Sequence, residues 1–168
     1  MRQFFSLIHP GRISFVLMAS LFACTSAFAQ QPVTTISDYV IFGGSNSVKI
    51  GSSTNIQGGS IGSFKLVQST GNIICGTNNL KTNIYSGGTV VLANSNAVSG
   101  KVTAANAFNA AGTILSVGTS ASLGGNIDVN GNIVIGGGTV SGIVTNPAGT
   151  SYKLGGITIA NTKGTPLL

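Results

Sequence analysis

The chain contains no tryptophan and no glutamate, and its 168 residues include only two arginines, one histidine, two aspartates and two cysteines. Charged residues make up 6% of it, against roughly a quarter in a typical soluble domain. That shortage excludes long amphipathic helices, whose solvent faces are built from Glu, Lys and Arg. What the chain does have is 25 Gly, 20 Ser, 17 Thr and 15 Asn. Apolar residues still reach 42%, more than a disordered Gly/Ser linker carries. The composition points to about one domain, all-β and rich in tight turns.

The first thirty residues read separately. Arg2 and Arg12 flank a basic start, and Ile13 to Ala23 is an apolar run without charge. Ala27-Phe28-Ala29 then offers small residues at the −3 and −1 positions of a cleavage site. This predicts a secretory signal peptide over 1–29, with Gln30 as the new N-terminus. The run is far short of the ~20 residues that a bilayer span needs. In a second reading, Leu21-Phe22-Ala23-Cys24 resembles a bacterial lipoprotein cleavage box, with Cys24 lipidated. Beyond residue 29 the chain keeps six Lys and two Asp, so its formal charge falls from +6 to +4, and both arginines and His9 are gone. The remaining lysines are scattered and no guanidinium is left to read bases or phosphates, which argues against nucleic acid. They read instead as groups that solubilise the chain and blunt its strand edges. Only Cys75 survives, so no disulfide framework forms within the chain. In Ile73-Ile74-Cys75 it reads as a small buried hydrophobe, with an intermolecular or reactive thiol as the other reading.

Internal repetition is the strongest signal. Val90-Val91-Leu92 is followed by Val98-Ser99-Gly100-Lys101-Val102, Ile114-Leu115-Ser116-Val117 by Leu123-Gly124-Gly125-Asn126-Ile127, and Ile133-Val134-Ile135 by Val140-Ser141-Gly142-Ile143-Val144. Weaker copies are Val48-Lys49-Ile50 with Ile56-Gln57-Gly58, and Ile73-Ile74 with Leu80-Lys81-Thr82-Asn83-Ile84. The Gly/Thr position recurs at 58, 82, 100, 125 and 142, in steps of 24, 18, 25 and 17. Ile157 and Ile159 follow Leu115 and Val117 by 42 residues and read as the start of a sixth copy. A unit of this length cannot enclose a core alone, but short strands coiled so that each rung lies on the last can. Gly and Asn suit the corners, Asn130-Gly131 among them. The expected fold is a single-stranded parallel β-helix, or β-solenoid, of five to six rungs. Between Val117 and Val140 a six-residue beat resembles the hexapeptide repeats of left-handed coils, while the 24–25-residue steps favour a right-handed one. The expected divisions are the leader 1–29, a cap segment 30–41, the solenoid 42–160 and an open tail 161–168.

The aromatics Phe42, Phe64, Tyr85, Phe108 and Tyr152 recur near once per rung. Phe64, Tyr85, Phe108 and Tyr152 are therefore candidate ligand-binding residues, a stacked column that would hold sugar rings if exposed. The other reading is a half-buried ladder beneath loops. Catalytic chemistry finds little to work with. No histidine remains past residue 29 to serve as a base, and Asp38 and Asp128 should stand roughly 15–20 Å apart along the coil, beyond the carboxylate spacing of glycosidases. Each reads as a turn or lead-in residue. Metal sites lack ligands, and the runs Gly43-Gly44 and Gly136-Gly137-Gly138 lack the helix that a phosphate-binding loop requires. No enzyme activity, cofactor or metal is expected.

The stretch from Gly88-Thr89-Val90-Val91-Leu92-Ala93-Asn94 through Gly125-Asn126-Ile127-Asp128-Val129-Asn130-Gly131-Asn132-Ile133-Val134-Ile135 resembles the β-helical N-terminal region of large exported surface or adhesin-type proteins of gliding, outer-membrane-bearing bacteria. The resemblance covers about residues 38–160. It implies an extracellular or cell-surface structural module, of the kind that in that group commonly precedes immunoglobulin-like modules and a C-terminal sorting domain. A weaker likeness is to bactofilins, polymer-forming β-helices of the cytoplasm. Expected partners are extracellular glycans or further copies of the chain; the alternative functions are a carbohydrate-binding module and a self-assembling solenoid.

Overall fold

The computed structural model describes residues 38–160 and the short strand Thr162–Lys163. The expected leader, Cys24 within it, residues 30–37 of the expected cap segment and most of the tail lie outside the described residues.

Short strands of alternating character follow one another around three sheets. Turn one comprises β1 (Tyr39–Phe42), β2 (Val48–Ile50) and β3 (Thr54–Ile56). Turn two comprises β4 (Ser60–Ser63), β5 (Leu66–Ser69) and β6 (Ile73–Cys75). Turn three has β7 (Asn83–Ser86), β8 (Thr89–Leu92) and β9 (Ala97–Val98), and turn four β10 (Val102–Ala104), β11 (Thr113–Val117) and β12 (Ala121–Leu123). Turn five has β13 (Ile127–Val129), β14 (Asn132–Ile135) and β15 (Gly138–Val140); turn six has β16 (Val144–Asn146) and β17 (Tyr152–Leu154). The first strands of successive turns pair in parallel as sheet A, the second as sheet B and the third as sheet C. The protein is an all-β solenoid of about six turns. Its first strand begins at Tyr39, inside the segment expected to be a cap.

Alternation places one side chain in two toward the axis. In sheet B the inward partners run Val48, Val67, Val90, Leu115, Ile133 and Tyr152. Sheet A contributes Ile61, Ile84, Val102, Ile127 and Val144, and sheet C Ile56, Cys75, Val98, Leu123 and Val140. Each buried aliphatic contributes ~1.5–3 kcal/mol, so the stacked columns carry the stability.

The recurrent Gly/Thr position is the corner from sheet C to sheet A. A Cβ on Gly100, Gly125 or Gly142 would come under 3.0 Å from the backbone of Thr82, Gly100 or Gly125 respectively. Thr82, itself buried, donates its hydroxyl to the Gly58 carbonyl at 3.2 Å. These three glycines stand where two turns approach too closely for a side chain. Gly131 serves the same end, because a Cβ there would strike Ile114; neither it nor Asn130 takes a positive φ. Asparagines tie the turns together at the corners. Asn83 Oδ1 accepts from the Lys101 amide at 2.8 Å, Asn126 Oδ1 from Ile143 at 3.1 Å, and buried Asn96 Oδ1 from Ile73 at 3.0 Å.

Two repeat assignments need correction. Ile73-Ile74 lies in sheet C, paired with Thr54-Asn55. The true partner of Val90 in turn two is Val67, and Leu80 sits exposed in the excursion 76–82 rather than in the core. The sixth-turn partners of Leu115 and Val117, reached through Ile133 and Ile135, are Tyr152 and Leu154. After them the chain reverses at Gly155-Gly156, both at positive φ, and β18 (Ile157–Thr158) runs antiparallel along β17. The reversed strand takes the sheet B position of a seventh turn. Ile159 packs against the end of the core, and β19 (Thr162–Lys163) rejoins sheet A beside β16.

Candidate functional site

The corner from sheet A to sheet B gathers most of the described aromatic side chains. Tyr39 in β1 lies across Gly62 of β4, where a Cβ would meet its ring under 3.0 Å. It stacks obliquely on Phe42, with centroids 5.0 Å apart, and meets Tyr85 of β7 edge-on at 6.1 Å. Phe42 in turn meets Phe64 at 5.3 Å with planes at 89°. Such pairs contribute about 0.5–1.5 kcal/mol beyond burial. Burial, then Tyr85, then Asp38 push the Tyr39 phenol above its ordinary range.

Phe64 terminates this cluster at 60% exposure. Phe108 reaches the same corner from the loop between β10 and β11, in which Asn106 and Asn109 adopt positive φ. There Asn106 Oδ1 accepts from the Ala110 amide at 2.7 Å and its carbonyl accepts from Asn109 at 2.9 Å. The loop carries Phe108 back over Gly88, whose added Cβ would lie 3.2 Å from the ring, and leaves it 63% exposed. Between the two phenylalanines runs the backbone of Gly87-Gly88, packed on Phe64 and Lys65, with Gly87 half-buried and Gly88 buried.

Of the four expected ligand-binding residues, Phe64 and Tyr85 join one cluster through Tyr39 and Phe42, and Phe108 shares the corner. Tyr152 does not belong with them. It is 4% exposed, stacked inward on Ile133, and its phenol is pushed up by burial. Spacing counted it as a member because it measures rung number, whereas inward or outward direction depends on strand phase. Tyr39 went unrecognised as a site residue. Its signal was Gly62, a glycine inside a strand, which marks close approach of another group.

Elsewhere the chemistry is sparse. Asp128 is an outward strand residue, not a turn residue, and meets Lys101 Nζ at 2.5 Å. Asp38 precedes β1, four strand pairings away along sheet A, or about 19 Å at the usual spacing. Among the described residues no three of His, Cys, Asp and Glu come together. A shallow groove of about 330 Å³ at the C-to-A corner is lined by Lys81, Asn83, Lys101, Asn126 and glycine backbone. Cys75 is fully buried, and its thiol is pushed up to about 11 by that burial. No helix among the described residues is long and apolar enough to cross a membrane. Family models, curated proteins and solved structures yield no match to the chain.

Proposed function

We propose that the chain is an exported structural module of the cell surface, adhesive rather than catalytic. The observation that carries this reading is a register maintained through about six turns by inward aliphatics. Such a coil holds its outer faces fixed in space and needs no ligand, metal or cofactor to do so. Those faces carry Ser, Thr, Asn and single lysines, groups suited to contact with neighbouring chains or glycans. The basic, apolar start ending in Ala27-Phe28-Ala29 supports export, and the wide separation of Asp38 and Asp128 supports a non-catalytic role.

The test is to express the tagged chain in an outer-membrane-bearing bacterium. The reading expects an N-terminus at Gln30, or at lipidated Cys24, and digestion by protease added to intact cells. An uncleaved chain retained in the cytoplasm would contradict it.

A further inference from the structure

We propose that Phe64 and Phe108, with the half-buried backbone of Gly87 between them, form a stacking strip for a neutral polysaccharide running along the solenoid axis. The inference gives the adhesive reading a ligand class and rests on it only for biological context, since binding is measured on purified protein.

Both rings are supported from one side and open on the other. Phe42 holds Phe64 edge-on, and the backbone of Gly88 holds Phe108. The glycines matter as much as the rings: a side chain at residue 87 or 88 would collide with the backbone of residue 64 or 65. Residues 87 and 88 thus raise no side chain between the two phenyl rings. The loop Ala105–Gly112 that delivers Phe108 is an insertion, since Val102 follows Ile84 by 18 residues whereas Ile127 follows Val102 by 25. Phe108 is the one large side chain that this insertion carries.

Size and charge select the ligand. Phe64 and Phe108 belong to corners two turns apart, on the order of 10 Å, and the Phe108 ring leans back over Gly88 of the turn between. Rings spaced by one to two turns suit neighbouring units of an extended chain. Two phenyl groups and the backbone between them expose at most a few hundred Å², well below the ~800 Å² per partner of a stable protein interface, so a second copy of the chain is a poor fit. Nucleic acid bases also stack on aromatics but require a cationic track for the phosphates. Across residues 42–46, 63–66, 86–89 and 105–113, which build this corner, Lys65 is the single charged residue. Uncharged sugar rings, with an apolar face and hydroxyl edges, match a surface of phenyl faces and asparagines.

The experiment is affinity electrophoresis of the purified protein through gels containing β-1,4-glucan, β-1,4-xylan, β-mannan or glycol chitin, with oligouridylate and heparin as charged controls. The expected result is retardation by at least one neutral polymer, little changed by salt. Phe64→Ala and Phe108→Ala should each weaken it about tenfold, Phe108→Tyr should retain it, and Ile74→Ala, an exposed residue in sheet C, should leave it unchanged. Circular dichroism would confirm that the exposed-site variants fold. Retention by the charged polymers alone, or equal retention of wild type and both alanine variants, would overturn the proposal. So would a dimer in sedimentation that dissociates on Phe64→Ala. Absence of neutral-polymer binding by a chain proven to be surface-exposed would sink the strip and leave the surface-module reading intact.

Discussion

Cys75 reports on the core one residue at a time. It occupies an inward position of sheet C between Ile56 and Val98, and burial alone raises its thiol to about 11 from 9.0. The folded chain therefore keeps a proton that the unfolded chain releases. Its contribution to stability is complete below about pH 9 and is lost as the pH climbs toward 11. Chemical unfolding across this range should show wild type falling toward Cys75→Ala, the gap between them narrowing with each rise in pH. A gap that stays constant from pH 8 to 11 would place the thiol in water. Tyr39 and Tyr152 are raised in the same direction, so alkaline weakening continues in the variant with a smaller slope. The buried position of Cys75 follows from the run Ile73-Ile74-Cys75. The inward position of Tyr152 does not follow from sequence, because a lone phenol in Ser-Tyr-Lys-Leu is compatible with either face of a strand.

At the scale of strands and corners, glycine lets backbones meet at the C-to-A corner. Gly125 is the clearest case: its hypothetical Cβ falls under 3.0 Å from Gly100, and Gly142 repeats the relation one turn on. Gly125→Ala should lower the unfolding free energy by upwards of about 2 kcal/mol, because a backbone neighbour cannot step aside as a side chain can. Gly51 has nothing within 4 Å and no positive φ, so Gly51→Ala should be neutral or stabilising by about 0.5 kcal/mol. Urea denaturation of the pair distinguishes close approach from a general glycine effect; equal losses at both positions would refute the corner argument. This corner column was legible as positions 58, 82, 100, 125 and 142. The strands between were read less well where turn length varies. The excursion 76–82 shifted the second copy by one sheet, and the 42-residue interval to Ile157 hid a reversal at Gly155-Gly156. A spacing of 17–19 residues, as from Leu115 to Ile133 to Tyr152, is three strands of about six residues. That accounts for the six-residue beat around turn five, and the longer steps are the same turn with a loop added.

For the whole solenoid, stability is a sum over neighbouring turns, and its C-terminal end is modified in a particular way. The antiparallel β18 occupies the seventh sheet B position, and Ile159 packs against the core. A chain coiling onward by the same rule would have placed a parallel strand there. Sheet A nonetheless continues through β19, so the coil closes on one side before another. Three-dimensional closure of this kind leaves no trace in a linear repeat, which is why Ile157 and Ile159 read as one more rung. The candidate site was legible in part for a related reason. Rung spacing found Phe64, Tyr85 and Phe108, whereas the role of Tyr39 depends on its lying over Gly62 of the next turn.

The register of the stack is the claim on which the rest depends, and a distance along sheet B measures it directly. Lys49 and Lys153 are outward residues at the two ends of its parallel run, linked by five successive parallel pairings through Gln68, Val91, Ser116 and Val134. Spin labels at Lys49→Cys and Lys153→Cys, in a background whose native cysteines are alanine, should give one narrow pulsed-EPR distance consistent with a backbone separation of about 24 Å. A broad distribution, or a distance fitting labels on adjacent or opposed strands of a two-sheet sandwich, would contradict the account.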